Sequence, residues 1–430
     1  MQDVRPRRTM IDTQSLYSLF QAHPQVTTDS RACKAGSLFF ALRGERFDGN
    51  DFARTALDRG CAYAVVDRPE LAGEQGMIYV ADALRALQLL ARHHRRTLAL
   101  PVIAITGTNG KTTTKELTSA VLSRKHRVHY TRGNLNNAIG VPLTLMQLTR
   151  EHELAVIEMG ASHPGDIKEL VEIAEPDCGL ITNVGKAHLL GFGSIEGVLR
   201  TKGELYDYLR HRDGFIFLHE DDPQLVALSQ GLKAIRYGSR QVTAVCADPT
   251  LRFTLEGRTV RTQLIGAYNL SNVLAAAAVG HHFGVPLEDI CAALEQYQPT
   301  NNRSQLVTTQ RNTLIMDAYN ANPSSMAAAI GNFALLPQAD KMCILGDMKE
   351  LGAASAAEHQ RIADLLASLQ GLDVWLVGEE FAKVHAPAAF RHFTNTDAVA
   401  AELARHPLTG RTVLVKGSHS MRLYLLSTQL

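Results

Sequence analysis

"PVIAITGTNGKTTTKEL" occupies residues 101–117. Its apolar run, Val102 to Ile105, predicts a buried strand; "GTNG" predicts a tight turn, and "KTTTKELTSAVL" a helix. Strand, glycine turn and helix in this order build an anion site. The glycines let backbone N–H groups face a phosphate, and the helix amino terminus adds the positive end of its dipole. The spacing departs from the usual phosphate loop, because Ile105 stands where the first glycine is expected and Gly107 follows two residues later. This predicts a phosphate loop of a different family. Gly107, Thr108, Asn109, Gly110, Lys111, Thr112 and Thr113 are the expected nucleotide cradle, with Lys111 reaching the terminal phosphates and the Thr112 hydroxyl available to Mg²⁺. The bland alternative is a glycine turn capped by threonine.

Outward from this stretch, three blocks separate. Residues 1–99 mix short β-like runs ("SLFFAL", "AYAVVD", "MIYV") with helical stretches. The clearest of these helices is "DALRALQLLARHHRRTL", apolar at Leu84, Leu87, Leu90 and Ala91 and basic opposite. In residues 100–302, "VIAIT", "LAVIEM", "CGLITN" and "GFIFL" alternate with helical segments, which predicts a mostly parallel sheet flanked by helices. Residues 303–430 repeat the alternation with "TLIMDA", "MCILGD", "VWLVG" and "TVLVKG", after a polar junction at "QPTNNRSQ". The expected fold is therefore α/β in three domains: a small amino-terminal one, a central phosphate-loop domain and a Rossmann-like carboxyl-terminal one.

Lys plus Arg number 44 against 43 Asp plus Glu, so the net charge of +1 offers no field to collect nucleic acid or anionic lipid. The "RPRR" at residues 5–8 reads as a solvated tail. No apolar run approaches the ~20 residues of a membrane helix. The six cysteines are far apart and read as buried thiols in a reducing compartment, so a cytoplasmic location is expected, and with nothing that demands more, a monomer.

Open α/β sheets place ligands at the carboxyl ends of their strands. Glu158 ends "LAVIEMG", where it is either a Mg²⁺ ligand or a surface carboxylate. In "LITNVGKAHLLGFGS", Thr182 and Asn183 end a strand and His188 follows as a metal ligand or a structural histidine. No Asn-Lys-x-Asp guanine signature and no kinase motif is present, which favours adenine nucleotide.

Taken together, "GTNGKTTT", "EMGA", "TNVGKAHLLGFGS", "KGELYDYL" and "GAYNLSNVLAAAA" resemble the Mur ligases, the ATP-dependent amide-forming enzymes of peptidoglycan precursor synthesis. The resemblance extends to "TTDSRACKAGSLFFALRGERFDGNDF" near the amino terminus. "DAYNANPSSM" and "LGDMKELG" are similar to the branch that joins D-alanyl-D-alanine to UDP-MurNAc-tripeptide, and the Asp-Asn-Pro-Arg signature of the diaminopimelate-adding branch is absent. The resemblance implies ATP and Mg²⁺, with Lys111 and Thr112 on the phosphates and Glu158, His188 and Thr112 on the metal. It implies that Lys202, otherwise a solvated helix lysine, is carried as a carbamate facing the metal. Asn269 and Asn272 match asparagines near the adenine, and Arg303 and Asp317 match residues that close onto phosphates and ribose. Thr28, Asp29, Ser30 and Arg31 resemble the uridine-diphosphate site. Asn134 and Asn137 would contact the muramoyl group; Asn320, Asn322 and Asp347 would receive D-alanyl-D-alanine. Leu135 and Ala138 stand where the family more often has tryptophan and an acidic residue, Lys186 where proline is frequent, and His419 where arginine is usual. A ligase adding a single amino acid (diaminopimelate, lysine or glutamate), or a nucleotide-binding regulator without catalysis, are the rival readings.

Overall fold

The computed structural model describes residues 10–300 and 302–430, so the "RPRR" tail and Asn301 of the junction lie outside the described residues. Four sheets organise the chain. The amino-terminal sheet has four short parallel strands: Val26–Thr27, Leu38–Phe40, Tyr63–Val66 and Met77–Tyr79. The central sheet is six-stranded and wholly parallel. From edge to edge it runs Lys233–Tyr237, Phe215–His219, Cys178–Ile181, Val102–Thr106, Leu154–Glu158 and Val128–Tyr130. Its middle strands are buried at every position, which is why they read as continuous apolar runs. In the carboxyl-terminal sheet the order is Gln305–Thr308, Thr313–Asp317, Thr412–Lys416, Lys341–Gly346, Leu372–Val377 and Arg391–Phe393, with only the first pair antiparallel.

The sheet that the apolar runs do not announce is antiparallel, made of Val242–Ala247, Thr250–Leu255 and Arg258–Ile265. In Arg258–Ile265 polar or charged residues at the exposed positions, Arg258, Thr259, Arg261 and Gln263, interrupt the buried ones, so "RTVRTQLI" lacks an apolar run. The short outer strands Val128–Tyr130 and Arg391–Phe393 escape the same signal because neither contains a fully buried residue.

Helix Ala83–Leu98 joins two of these units. Asp82 caps it by accepting from the Arg85 N–H, and Ala99 ends it in a left-handed conformation. Leu87, Leu90 and Ala91 share one core with Ala104, Ile157 and Leu170 of the central unit. Its basic face is paired with the central unit: Arg95 reaches Asp177 at 2.8 Å, and Arg92 and Arg96 reach Glu175 at 2.9 and 2.5 Å. Burial alone would raise the Glu175 carboxyl, but hydrogen bonds from Arg96 and Arg92 outweigh it and hold the group below its ordinary value. None of the described helices is long and apolar enough to cross a membrane.

Two histidines nearby are kept neutral by packing. His129 Nε2 donates to the Thr144 carbonyl at 2.9 Å, and burial pushes its pKa down to about 4. His94, between the Tyr17 hydroxyl and the Leu148 carbonyl, is also pushed down by burial. The unfolded chain takes up these protons near pH 6.5 and the folded chain resists them. Folding stability is therefore full above pH 6.5 and falls as pH drops toward 5, by up to about 1.4 kcal/mol per pH unit for each histidine. Urea denaturation at pH 7 and pH 5 measures this. His129→Gln should flatten the slope, and an unchanged slope in that variant would show that His129 is not its source.

Candidate active site

The register of the central sheet assembles the site. Glu158 lies opposite Ile105, and Ile181 lies opposite Thr106, so three adjacent strands end together beside the phosphate loop. Gly107 has φ +140°, and a Cβ there would come within 2.0 Å of Thr182 Oγ1. Gly110 has φ +79°, and its Cβ would meet Asn272 Oδ1 at 2.4 Å. Both positions therefore demand glycine. Asn183 braces the loop: its carbonyl accepts the Thr108 N–H at 2.9 Å and its Oδ1 the Asn109 N–H at 3.0 Å. Thr182 donates to the Asn109 carbonyl at 2.6 Å. Gly107→Ala is expected to cost about 3 kcal/mol in a urea titration, from strain plus overlap. Gly193→Ala, with positive φ but nothing within 4 Å, should cost about 1 kcal/mol. Equal costs would mean that contact with Thr182 is unimportant.

Lys111 folds over its own loop, donating to the carbonyls of Gly107 (2.7 Å) and Thr108 (3.0 Å). Burial pushes its pKa down to about 8 against the opposing pull of Glu158. An anionic phosphate would restore that charge. Glu158 is buried at the strand end. Its Oε1 accepts from Asn136 Nδ2 at 2.8 Å and from the Thr112 hydroxyl at 3.2 Å, while its Oε2 has no hydrogen-bond partner among the described residues. The nearest cation to that oxygen, Lys115, is 4.0 Å away. His188 sits in a left-handed turn (φ +49°), with Nδ1 2.5 Å from Glu350 Oε2, and this contact holds the Glu350 carboxyl below its ordinary value.

Lys202 lies on the helix Ile195–His211 and is 2% exposed, so it is a core residue. It makes no hydrogen bond or ion pair with the described residues, and its Nζ stands 5.5 Å from the centre of the Phe192 ring. Burial first, and the charge of Lys111 second, drive its pKa well below the ordinary lysine value.

The carboxyl-terminal unit supplies the facing wall. Arg303 stacks its guanidinium 3.8 Å from the centre of the Tyr319 ring and buries an Nε that has no hydrogen-bond partner among the described residues. Asp317 Oδ2 is 2.5 Å from Lys416 Nζ, which also donates to the Asn320 carbonyl at 3.2 Å. Asn322 caps the helix Pro323–Ala334 and crosses to the phosphate loop, where its Nδ2 donates to Asn109 Oδ1 at 2.7 Å.

Between these walls lies a cavity of about 800 Å³. It brings together Thr108 to Thr113, Asn134, Asn137, Glu158, His188, Asn269, Asn272, Arg303, Asp317, Asn320 and Asn322. Asn272 accepts from Thr114 and donates to Asn269, whose own amide holds the Ile265 carbonyl, so these two asparagines brace the phosphate-loop helix as well as lining the space. Lys202 stands behind the wall. Thr28, Asp29, Ser30 and Arg31 are not in the cavity; they form a turn on the amino-terminal sheet, where Asp29 pairs with Arg31 at 2.9 Å and Arg59 holds the Ser30 carbonyl. Asp347 is not in it either. That buried carboxylate accepts the backbone N–H groups of Glu380 and Phe381 and takes an ion pair from Lys349, which is a structural role in this arrangement.

Of the unexpected sequence positions, Ala138 offers its carbonyl to Gln88, Leu135 packs its backbone against Gly140, and His419 stacks on Tyr424. Several lining residues went unread in the sequence: Asn136, Tyr268, Tyr319, Glu350 and Lys416. Lys416 had a signal, since it ends "TVLVK" as a charge after buried positions, by the same logic that singled out Glu158.

No three His, Cys, Asp or Glu side chains converge among the described residues. Mg²⁺ takes most of its ligands from phosphates and water and one or two from carboxylates, so a sparse set with one unpartnered buried carboxylate oxygen beside a threonine hydroxyl fits it. Chemically, the arrangement can hold a triphosphate between Lys111 and Arg303 and screen it from water on both sides.

Residues 24–95, 105–280 and 302–419 match profiles described respectively as Mur ligase family, catalytic domain; Mur ligase middle domain; and Mur ligase, glutamate ligase domain. The UDP-N-acetylmuramoyl-tripeptide–D-alanyl-D-alanine ligase of Bacillus subtilis is 36% identical over 417 residues, covering 93% of this chain and 91% of that one. The Escherichia coli enzyme of the same name is 36% identical over 416 residues, covering 92% and 91%. Among solved structures, MurF from Acinetobacter baumannii superposes with a TM-score of 0.84 at 32% identity, covering 96% of this chain and 97% of that one. MurF ligase from Thermotoga maritima in complex with ADP gives 0.85 at 26% identity, covering 95% and 97%.

Proposed function

This chain belongs to the Mur ligase family, and from that membership we infer that it is an ATP-dependent ligase joining D-alanyl-D-alanine to UDP-MurNAc-tripeptide in peptidoglycan precursor synthesis. The observation that carries the reading is end-to-end similarity: the relatives sharing 36% identity over nine-tenths of both chains bear that one ligase name.

The residues support a division of labour. Residues 1–99 would hold the uridine diphosphate at the Thr28–Arg31 turn, residues 100–302 the ATP, and residues 303–430 would close on ATP and present the dipeptide near Asn320 and Asn322. Asn134 and Asn137 would contact the muramoyl group. The peptide's terminal carboxylate attacks the γ-phosphorus of ATP, ADP leaves, and an acyl phosphate forms. The dipeptide's amine then adds to the acyl carbon, and the tetrahedral adduct expels inorganic phosphate. Lys111 and the loop N–H groups neutralise charge that builds on the transferring phosphoryl oxygens, and Arg303 does so from the facing wall. When bound, Mg²⁺ supplies further neutralisation of the phosphates, and Thr112, Glu158, His188 and a carbamate on Lys202 would hold it. An acyl phosphate hydrolyses if water reaches it, so the carboxyl-terminal wall must stay closed until the amine arrives.

Acceptor-dependent phosphate release tests the reading. D-alanyl-D-alanine should stimulate release and yield an adduct, whereas diaminopimelate, lysine and glutamate should not. Stimulation by a single amino acid would transfer the chain to another branch, and ATP binding without phosphate release would make it a regulator. Oxygen-18 placed in the peptide carboxylate should appear in the released phosphate.

A further inference from the structure

One loop carries both the asparagine that braces the phosphate loop and the candidate metal histidine, and residues 185–190 of it contact two separate bodies. On one side, the Gly185 N–H donates to Thr108 Oγ1 at 3.0 Å. On the other, the Lys186 N–H donates to Ser324 Oγ at 3.1 Å, Lys186 Nζ lies 2.6 Å from Glu358 Oε1, and the Leu190 N–H donates to the Glu350 carbonyl at 3.1 Å. Lys186 therefore grips two different helices of the carboxyl-terminal unit, Pro323–Ala334 through its backbone and Ser355–Ala367 through its ammonium. Glu358 is buried, and its second oxygen forms an ion pair with Arg361, 2.6 Å away on its own helix, without hydrogen-bond geometry.

We propose that the Lys186–Glu358 ion pair is an interlobe latch and that Lys186 is a positioning residue, which fixes the His188 loop against the phosphate loop when the carboxyl-terminal unit closes. The proposal rests on the ligase reading for its purpose, though not for its geometry. The pair exists only while the two units are together, so its attraction counts wholly toward the closed arrangement. Stripping a buried carboxylate of every cation is costly. Here Arg361 stays with Glu358 when the units part, and the half-exposed Lys186 returns to water. The latch therefore releases without leaving an unpaired buried charge, as a closure that must reopen once per turnover requires.

X-ray scattering with UDP-MurNAc-tripeptide and a non-hydrolysable ATP analogue reads closure without any reaction, so a chain that proved to use another acceptor would leave this test intact. The parent and Lys186→Arg should compact. Lys186→Ala should stay extended at the same ligand concentrations, and so should Glu358→Gln, which removes the charge that Lys186 meets. In turnover, Lys186→Ala should release about fivefold more phosphate per adduct formed, while Lys186→Arg keeps the ratio near that of the parent. A fold defect alone would lower both products together and leave the ratio unmoved. The proposal is overturned if the parent does not compact, if Lys186→Ala or Glu358→Gln compacts as the parent does, or if Lys186→Ala keeps the parent's ratio of phosphate to adduct.

Discussion

Glu158→Gln is expected to lower adduct formation by about 10³-fold while leaving folding stability unchanged or slightly raised. The carboxylate is buried, one oxygen is occupied by Asn136 and Thr112, and the other is unpartnered with its nearest cation 4.0 Å away. Such a group serves the fold poorly, because a buried charge without close compensation is destabilising. Glutamine keeps the shape and removes the charge, so the fold loses nothing while the site loses the anion that suits Mg²⁺. Three measurements bear on it: product formation under saturating ATP, the urea midpoint, and the Mg²⁺ concentration needed to bind an ATP analogue. A glutamine variant with parental turnover, or one that unfolds at much lower urea, would remove Glu158 from the metal site.

Lys202→Ala should be comparably damaging, about 10³-fold in turnover, with partial recovery in acetate or another short carboxylic acid. The structure gives this lysine a reason to be modified. Its amine is buried without hydrogen bond or ion pair among the described residues, and both burial and the charge of Lys111 disfavour its protonated form. A neutral amine is the form that adds to carbon dioxide, with release of a proton, and the resulting carbamate exchanges an unwelcome cation for an anion. Removing bicarbonate should slow the parent and not the alanine variant; mass analysis under mild conditions should find the added mass on Lys202. Full activity in Lys202→Ala would end this role, and absence of rescue by carboxylic acids would deny that the missing group is an anion.

The two predictions differ in how far the letters alone support them. Glu158 could be suspected because a carboxylate after four apolar positions marks a strand end. Lys202 could not, since "RTKGEL" is an ordinary helix segment until the burial of its lysine is known. The antiparallel sheet of residues 242–265 was hidden because strands with one exposed face lack apolar runs. Asp347 misled in the opposite direction. Its motif marks the branch of the family, yet its carboxylate is spent on the backbone of Glu380 and Phe381.

The order of residues along the chain settles whatever a short stretch can fix through its own backbone. The glycines of "GTNGK" turn the loop into the helix that begins at Lys111, and apolar runs set the parallel strands whose ends line the cavity. Which distant groups meet is set by packing: Lys416 with Asp317 across 99 residues, Asn322 with Asn109 across 213, and Lys186 with Glu358 across 172. Conformational preference acts over a few bonds, whereas the charge a side chain feels depends on what is packed around it, and that environment exists only after folding.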